Sequence, residues 1–257
     1  MLILEAKFPH AADTDRRVYV WGLSETGALG LHKSLRKQSK KQAAFIQHPT
    51  RLQFAETSNI LDIACGYGFS AFAVKREDGT SLYGSGINTD TQLGYHKHPG
   101  VTNKPIELVV YPVPINLPKS NSSENIQIKS CAAGRAHLLA QSDTGVVYTL
   151  GNNAYGQCGR PIVPNEDYRA SEIINTIETV GDNERIENIH CGQDHSLFVT
   201  HSGKVFSCGW GADGQTGLGH YDSCDRPSLV SGDISGEKIV KVTGSVDCVL
   251  ALNGKLF

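Results

Sequence analysis

The sequence predicts an all-β fold, a partial β-propeller of about four four-stranded antiparallel blades in a single incomplete propeller domain. A sequence block recurs at intervals of 68, 58 and 52 residues, and no segment shows the sustained 3.6-residue periodicity of an amphipathic helix. Intervals of this length suit propeller blades with loops of variable length. Since one blade cannot bury both of its faces, several must stack side by side.

The first repeated block is a β-prone run that meets a glycine, with a second glycine eight positions later. It occurs as VYVWGLSETGALG, SLYGSGINTDTQLG, VVYTLGNNAYGQCG and KVFSCGWGADGQTGLG. Asn88, Asn153 and Asp213 are placed at one loop position, where a short polar side chain suits a tight turn, and Asp213 is expected to cap its own turn. The alignment pairs the glycines as Gly22/Gly30, Gly86/Gly94, Gly151/Gly159 and Gly211/Gly219.

The second block precedes three of these copies and closes the chain. It reads IACGYGFSAFAV, CAAGRAHLLAQ, IHCGQDHSLFVT and VTGSVDCVLAL, with Gly66, Gly134, Gly192 and Gly244 aligned. This alignment puts Phe69, His137, His195 and Asp247 in one column, ahead of an apolar strand and a glycine turn. The predicted units are 15–60 (partial), 61–128, 129–187, 188–240 and 241–257 (partial), after an N-terminal tail at 1–14.

Composition limits the function classes. A net charge of -2 over 257 residues gives no overall field that would hold a polyanion. No apolar run approaches the roughly 20 residues of a membrane span, and the first residues lack the pattern of a signal or transit peptide. The seven cysteines include no C-x-x-C pair, which favours reduced thiols. We expect no metal site and no cofactor.

Gly209, Gly211 and Gly214 have the G-x-G-x-x-G spacing of a dinucleotide-binding loop. That function requires a helix directly after the glycines, because the helix N-terminus holds the pyrophosphate. The following QTGLGHYDSCDRP predicts no helix. The glycines are therefore interpreted as structural, allowing positive φ angles and close approach of neighbouring blades.

The combined pattern, C-G-x-x-H with an apolar strand and then W-G-x-[ND]-x-x-G-x-[LC]-G, resembles the regulator-of-chromosome-condensation repeat. Residues 191–197 and 210–219 carry it most fully, and CGQDHSLF, GNNAYGQCGR and SCGWGADGQTGLGHY are most similar to the mitochondrial, exchange-factor-like branch of that family. Propellers of this family have seven blades. The resemblance therefore implies a truncated ring.

The resemblance implies a non-enzymatic platform that presents loops to partner proteins, with guanine-nucleotide exchange on a GTPase as an activity of the family. For the mitochondrial branch it implies a dynamin-like GTPase partner, assembly factors of the mitochondrial ribosome, and a matrix or inner-membrane location. Exchange needs a group that disturbs the phosphate and magnesium site of the GTPase. The candidates are the loop acids Asp90, Asp194 and Asp213.

Two pairs of repeated aromatic residues are interpreted as structural. His137 and His195 are expected to be hydrogen-bonded between blades rather than catalytic, because adjacent strand residues point to opposite faces and cannot form a triad with Asp194 and Ser196. Trp21 and Trp210 are expected to plug the core.

A basic run supports an alternative function. The stretch 33–51 is interpreted as one flexible inter-strand loop without acids, which could bind ribosomal RNA through its charges: Lys33, Arg36, Lys37, Lys40, Lys41 and Arg51. A third hypothesis is a truncated isoform without independent activity. An acidic stretch at 165–187 suggests a polarised molecule with at least one specific face.

Overall fold

The computed structural model describes residues 17–31, 45–76, 81–98, 104–118 and 126–254. Three antiparallel four-stranded sheets and two two-stranded sheets follow one another in chain order. The predicted all-β fold with four-stranded antiparallel blades is confirmed. Two short 3-10 helices, Gln53–Thr57 and Tyr168–Ala170, are the helical elements of the described ranges.

The five sheets are numbered here as blades 1 to 5. Blades 1 and 5 have two strands each, and blades 2, 3 and 4 have four. The strands are β1 (Tyr19–Leu23) and β2 (Phe45–Arg51) in blade 1; β3 (Asn59–Cys65), β4 (Phe69–Lys75), β5 (Leu82–Ile87) and β6 (Leu108–Pro114) in blade 2; β7 (Ile128–Ala133), β8 (His137–Ser142), β9 (Val147–Gly151) and β10 (Asn175–Ile177) in blade 3; β11 (Ile186–Cys191), β12 (His195–Thr200), β13 (Val205–Gly209) and β14 (Cys224–Leu229) in blade 4; β15 (Ile239–Gly244) and β16 (Val249–Asn253) in blade 5.

Each complete blade buries both of its faces, which explains the continuous apolar second strands. On β12, Leu197 packs with Ile239 of blade 5, whereas the adjacent Phe198 packs with Leu139 of blade 3. Successive strand residues point to opposite sides, so one strand supplies two cores. Burying a side chain such as Phe198 contributes about 2–3 kcal/mol.

The strand register fixes the repeat alignment. The first residue of the second strand pairs with a glycine of the third strand in every complete blade: Phe69 with Gly86, His137 with Gly151, and His195 with Gly209. These glycines have φ angles of 116°, 100° and 109°. A Cβ there would lie 2.3 to 2.5 Å from a backbone carbonyl oxygen of the preceding turn, so only glycine fits.

This register corrects the fourth glycine pair. Gly209 and Gly217, with φ angles of 109° and 67°, are equivalent to Gly151 and Gly159, with φ angles of 100° and 67°. The pairing Gly211/Gly219 was wrong by two residues, because the W-G dipeptide adds a second glycine after the strand. Asp213 is consequently equivalent to Asp90 and Tyr155, and not to Asn88 and Asn153.

The basic stretch is not one loop. Residues 45–51 form β2, so the loop ends before Phe45. Lys33, Arg36, Lys37, Lys40 and Lys41 lie outside the described residues. Arg51 is exposed at the far end of β2, about 20 Å along the strand from Phe45 at about 3.3 Å per residue.

Candidate functional site: the upper face of the blades

Antiparallel pairing sends two sets of loops to one side of the molecule. The turns between first and second strands and the loops between third and fourth strands share this side, which we call the upper face. Its described segments are 66–68, 134–136, 192–194 and 245–248 for the turns, and 24–31, 88–98, 104–107, 152–174 and 210–223 for the loops. The opposite side is the lower face. Loops on a rigid scaffold are the usual place for binding residues.

Backbone hydrogen bonds join the upper-face turns into a continuous rim. The amide of Tyr67 donates to the carbonyl of Gly134 (3.2 Å), and that of Arg135 donates to the carbonyl of Gln193 (2.7 Å). Gln193 in turn donates to the carbonyl of Ser245 (3.0 Å). Each turn therefore positions the next one, and the rim is held by main-chain atoms rather than by mobile side chains.

The turn glycines are required by the ring that follows each of them. A Cβ on Gly66, Gly134 or Gly192 would lie 2.1, 2.2 or 2.0 Å from a ring carbon of the residue three positions later. Those rings belong to the predicted column of Phe69, His137 and His195, all fully buried. The G-x-x-H spacing is thus a packing motif. Asp247, the fourth member of the column, is exposed.

The two histidines differ from each other. His137 Nε2 lies 3.1 Å from Ser196 Oγ, which itself donates to the carbonyl of Gln157 (2.6 Å). These hydrogen bonds connect blades 3 and 4, so the hydrogen bond between blades expected for His137 is confirmed. His195 is also buried between blades, but neither of its ring nitrogens has a hydrogen-bond partner in the described chain. The expected hydrogen bond of His195 was wrong.

Burial lowers the pKa of both imidazoles. The pKa of His137 falls to about 3, first through desolvation and then through the neighbouring His195. The pKa of His195 falls to about 4, again mainly through desolvation. Both rings are therefore neutral at pH 7. Ser196 is fully buried and its proton is directed at a backbone carbonyl, which leaves this hydroxyl without access to a substrate.

The loops after the third strands are shaped by an asparagine and a glutamine. Asn88 accepts from the amide of Leu93 and donates to the carbonyls of Gly94 and Ile106. Asn153 makes the equivalent bonds within blade 3. Gln92, Gln157 and Gln215 each accept from the amide two residues earlier. The glutamine column was not predicted, although it is visible in the sequence as T-Q-L-G, G-Q-C-G and G-Q-T-G.

Neighbouring loops meet at an equivalent position of each boundary. Between blades 2 and 3, the Asn152 amide donates to Asp90 Oδ1 at 2.8 Å. Between blades 3 and 4, the equivalent residues are aromatic: the rings of Tyr155 and Trp210 lie 4.6 Å apart between centroids, at 61°. One geometric joint therefore carries a polar contact in one place and an aromatic contact in the next.

The three candidate acids all lie on the upper face, but their carboxylates differ. Asp90 accepts from Asn152 and Thr89. Asp194 forms a bidentate pair with Arg135, at 3.0 Å from Nε and 2.9 Å from Nη2. Burial raises the pKa of Asp194, while Arg135 lowers it. Asp213 is exposed, and its carboxylate has no partner among the described residues, so the expected turn cap was wrong: Gln215 fills that role.

The tryptophans are not core plugs. Trp21 is 60% exposed on β1. Trp210 is half-buried against Tyr155, at the upper end of blade 4. The corrected register also separates the two residues: Trp21 precedes Gly22, whereas Trp210 follows the equivalent Gly209, so they do not share the column predicted for them.

The acidic stretch does not form one face. Strand β10 divides it, so that Glu166, Asp167 and Glu172 lie on the upper face, and Glu178, Asp182 and Glu184 on the lower. Several of these acids are paired locally, Glu166 with Arg160 (2.5 Å) and Glu184 with Lys204 (2.5 Å). The acids of this stretch are therefore divided between the two faces.

The described ranges contain no group of three or more side chains placed to hold a metal ion. The segment after Gly209 consists of turns and bends up to β14, without a helix. Within the same ranges, no helix has the length and apolar character needed to cross a bilayer.

Comparison with known proteins places these features in a family. A family model described as "Regulator of chromosome condensation (RCC1) repeat" matches residues 15–73, 144–199 and 202–252, and a second model of the same description matches 186–215. The human "RCC1-like G exchanging factor-like protein" is 39% identical over 257 residues, covering 96% of this chain and 54% of that protein. Its mouse counterpart is 40% identical over 255 residues, covering 95% of this chain and 53% of that protein.

Solved structures agree. The crystal structure of human WBSCR16 superposes with a TM-score of 0.81 at 38% identity, covering 92% of this chain and 58% of that one. Yeast RCC1 (Prp20) bound to Kap60 superposes with a TM-score of 0.73 at 23% identity, covering 94% and 50%, and supports the fold alone. The chain spans about half the length of these relatives. The repeat matches, the shared blade register and these similarities show that the chain belongs to the regulator of chromosome condensation (RCC1) repeat family.

Proposed function

We propose that this chain is part of an exchange-factor-like platform of mitochondria that regulates a dynamin-like GTPase through its upper face. The similarity to proteins named for G exchange supports a guanine-nucleotide exchange factor-like propeller. The observation that carries the choice of face is the hydrogen-bonded rim, in which Tyr67, Arg135 and Gln193 each donate to the next turn. It fixes the upper-face turns relative to one another, and the first residues of two loops donate to the same turns, Asn152 to Ala136 and Trp210 to Asp194.

Fixed loops suit nucleotide exchange. An exchange factor works by binding the nucleotide-free GTPase more tightly than the nucleotide-bound form, so its contacts must be ready before the nucleotide leaves. A preorganised surface loses less conformational entropy on binding. The rim preorganises the upper-face turns and the loops that donate hydrogen bonds to them.

We assign Asp213 as the acid of this chain that contacts the GTPase. The carboxylates of Asp90 and Asp194 are engaged by Asn152 and Arg135, whereas that of Asp213 is exposed and unpaired within the described chain. An exposed carboxylate can enter a magnesium and phosphate site and repel the phosphates electrostatically. Asp213 therefore takes the role of the displacing group in this proposal.

The test is the release of a fluorescent GDP analogue from the dynamin-like GTPase. The chain is expected to accelerate release over the spontaneous rate, and Asp213→Ala is expected to reduce this acceleration at least tenfold. Asp233→Ala is the matched control, since Asp233 is an exposed acid on the lower face, without an ion-pair partner in the described residues. Release at the spontaneous rate with the parent chain would overturn the proposal.

The mitochondrial location and the support of ribosome assembly belong to the same proposal. Their basis is the resemblance of residues 151–160, 191–198 and 207–221 to the mitochondrial branch. Fractionation of cells expressing the tagged full-length protein is expected to place it in the matrix or on the inner membrane, together with precursors of the large ribosomal subunit. Recovery in the cytosol alone would contradict this part.

RNA binding is the second candidate function. β1 ends and β2 begins at the upper face, so the basic segment joining them leaves from the same face as the candidate acids. Charge reversal of Lys37, Lys40 and Lys41 is expected to weaken the binding of ribosomal RNA and to reduce the salt dependence of that binding. Unchanged RNA binding would exclude the segment as an RNA-binding site. The charge reversal is expected to leave the GDP-release assay unaffected in either case.

A further inference from the structure

We propose that the boundary between blades 3 and 4 carries a cation-recognition patch, which receives an arginine side chain from a basic segment of a protein partner. The inference goes beyond the proposed function, because this contact chemistry does not require the partner to be a GTPase. The patch consists of Tyr155, Trp210, Tyr221 and Asp213 of the upper face, together with Asp225 at the upper end of β14.

The aromatic part of the patch is held in a fixed geometry. Trp210 donates its backbone amide to the carbonyl of Asp194 (2.8 Å), and Tyr155 donates its own to Gln157 Oε1 (2.9 Å). The two rings, 4.6 Å apart, are each half-buried and so present part of their surface to solvent. Tyr221, from the same loop as Trp210, is 74% exposed and lies beside Gly214.

The fold does not need aromatic residues at this joint. The equivalent joint between blades 2 and 3 is made by the hydrogen bond from Asn152 to Asp90. At that position the small polar pair completes the same blade contact without exposing apolar surface. The Tyr155 and Trp210 rings therefore supply apolar surface beyond what the joint requires, and tryptophan and tyrosine are enriched among residues that dominate binding energy.

The charge around the rings favours a cation. Gly156 packs so closely on β14 that a Cβ there would lie 2.9 Å from the Cβ of Asp225, which places Asp225 next to Tyr155. No described residue pairs with the carboxylate of Asp225 or with that of Asp213. A cation over a tryptophan or tyrosine ring gains about 0.5–2 kcal/mol, and a carboxylate nearby adds a charge-assisted hydrogen bond. Arginine suits both contacts better than lysine, since its planar guanidinium group stacks on an aromatic ring and donates two hydrogen bonds to one carboxylate.

The negative surface continues to the neighbouring boundary. An open groove of about 440 Å³ between the loops of blades 2 and 3 is lined by four acids, Asp90, Glu107, Glu166 and Asp167, and by one cation, Arg169, which pairs with Asp167. A segment with several basic residues can therefore place one cation on the rings and others along this groove. This complementarity identifies the occupant as a basic segment rather than an apolar one.

Tryptophan fluorescence tests the patch directly, because the chain has only two tryptophans. In a Trp21→Phe background, the emission of Trp210 is followed during titration with an acetylated hexa-arginine peptide at low salt. A saturable change in emission is expected, with weaker binding of hexa-lysine and none of hexaglutamine. Absence of any change with hexa-arginine would overturn the proposal.

Three variants assign the binding to the patch. Tyr155→Leu keeps an apolar side chain and the net charge, and it is expected to weaken hexa-arginine binding at least tenfold. Asp225→Asn is expected to weaken hexa-arginine binding and to reduce the salt dependence of that binding. Tyr221→Leu, at a position too exposed to affect folding, is expected to weaken it about threefold. Tyr67→Leu is the control, since Tyr67 is a 75% exposed tyrosine of the same face on blade 2.

The outcomes separate this inference from the exchange function. If Tyr155→Leu and Tyr221→Leu both bind hexa-arginine as the parent does, with unchanged circular dichroism, the patch is excluded as the cation site. If the patch binds the peptide but the chain does not accelerate GDP release, only the exchange function fails. The peptide titration contains no GTPase and so cannot fail for that reason.

Discussion

The imidazole of His137 and the hydroxyl of Ser196 lie 3.1 Å apart across the boundary between blades 3 and 4. Because the hydroxyl proton is directed at the carbonyl of Gln157, Ser196 accepts from His137 Nε2, which must carry the proton of a neutral ring. The contact ties the second strand of one blade to that of the next. It also makes this blade boundary sensitive to acid.

His137→Phe is expected to make the chain less sensitive to acid. The folded pKa is about 3, and an unfolded histidine titrates near 6.5, so between these values the unfolded chain binds the extra proton and stability falls as the pH is lowered. This loss amounts to about 1.4 kcal/mol per pH unit for one such group. Phenylalanine fits, since Phe69 occupies the same column over Gly66.

Urea unfolding between pH 4.5 and 7 measures this effect. The parent and His137→Phe curves are expected to converge or cross as the pH falls, with His195 leaving residual sensitivity in both. Parallel curves over this range would show that His137 is not buried as a neutral ring.

His195→Phe is expected to raise stability at pH 7 by more than His137→Phe does. His195 buries two ring nitrogens without partners among the described residues, and each unsatisfied buried group costs about 1–3 kcal/mol. Replacing His137 removes one such nitrogen, Nδ1, but also a hydrogen bond worth about 1 kcal/mol, so the net gain is smaller. Thermal unfolding of both variants at pH 7 decides the matter. A melting temperature for His195→Phe below that of the parent would contradict the account of an unpartnered ring.

Gly192→Ala is expected to destabilise the chain by about 3 kcal/mol. The added methyl would lie 2.0 Å from Cε1 of His195, in a rim that is fixed from both sides. Gly232→Ala is the control: its φ is 96° and nothing lies within 4 Å, so only backbone strain of about 1 kcal/mol is expected. Equal costs for the two variants, measured by urea unfolding, would show that the ring does not pack on the glycine.

Thr91→Gly is expected to destabilise the chain less than Thr91→Ala. Its φ is 53°, at a position where the other loops have Gly27, Gly156 and Gly214, and its hydroxyl donates to the carbonyl of Tyr168 at 3.1 Å. Thr91→Gly loses this bond but relieves strain of about 1 kcal/mol, which leaves stability nearly unchanged. Thr91→Ala loses the bond and keeps the strain, so it is expected to cost about 1 kcal/mol. The reverse order in thermal unfolding would contradict this.

The repeats made the blades predictable, because glycine spacing and apolar strands are local properties of the sequence. The column of Phe69, His137 and His195 was found for this reason, and the strand register confirms it. The displaced glycine pair shows the limit: Gly209 and Gly211 are both glycines, and only the pairing of Gly209 with His195 distinguishes them.

The site was less predictable, because partners come from different blades. Nothing near Asp90 in the sequence shows that its carboxylate is engaged by a residue 62 positions away. The cap by Gln215, in contrast, lies two residues from Asp213 and repeats along the sequence, so it could have been predicted. The contact between Tyr155 and Trp210 depends on how two blades stack. Trp21 and Trp210 were expected to plug the core, whereas Trp21 is exposed in the middle of β1 and Trp210 is half-buried just after β13.

Hydrogen exchange tests most directly whether the upper face binds the partner. The chain is labelled in deuterium oxide with and without the nucleotide-free GTPase, and protection is read by peptide mass. The account predicts slower exchange in the upper-face loops at 152–163 and 210–223, and no change in the lower-face turns at 143–146 and 201–204. Protection confined to the lower-face turns, or no protection at all, would contradict it.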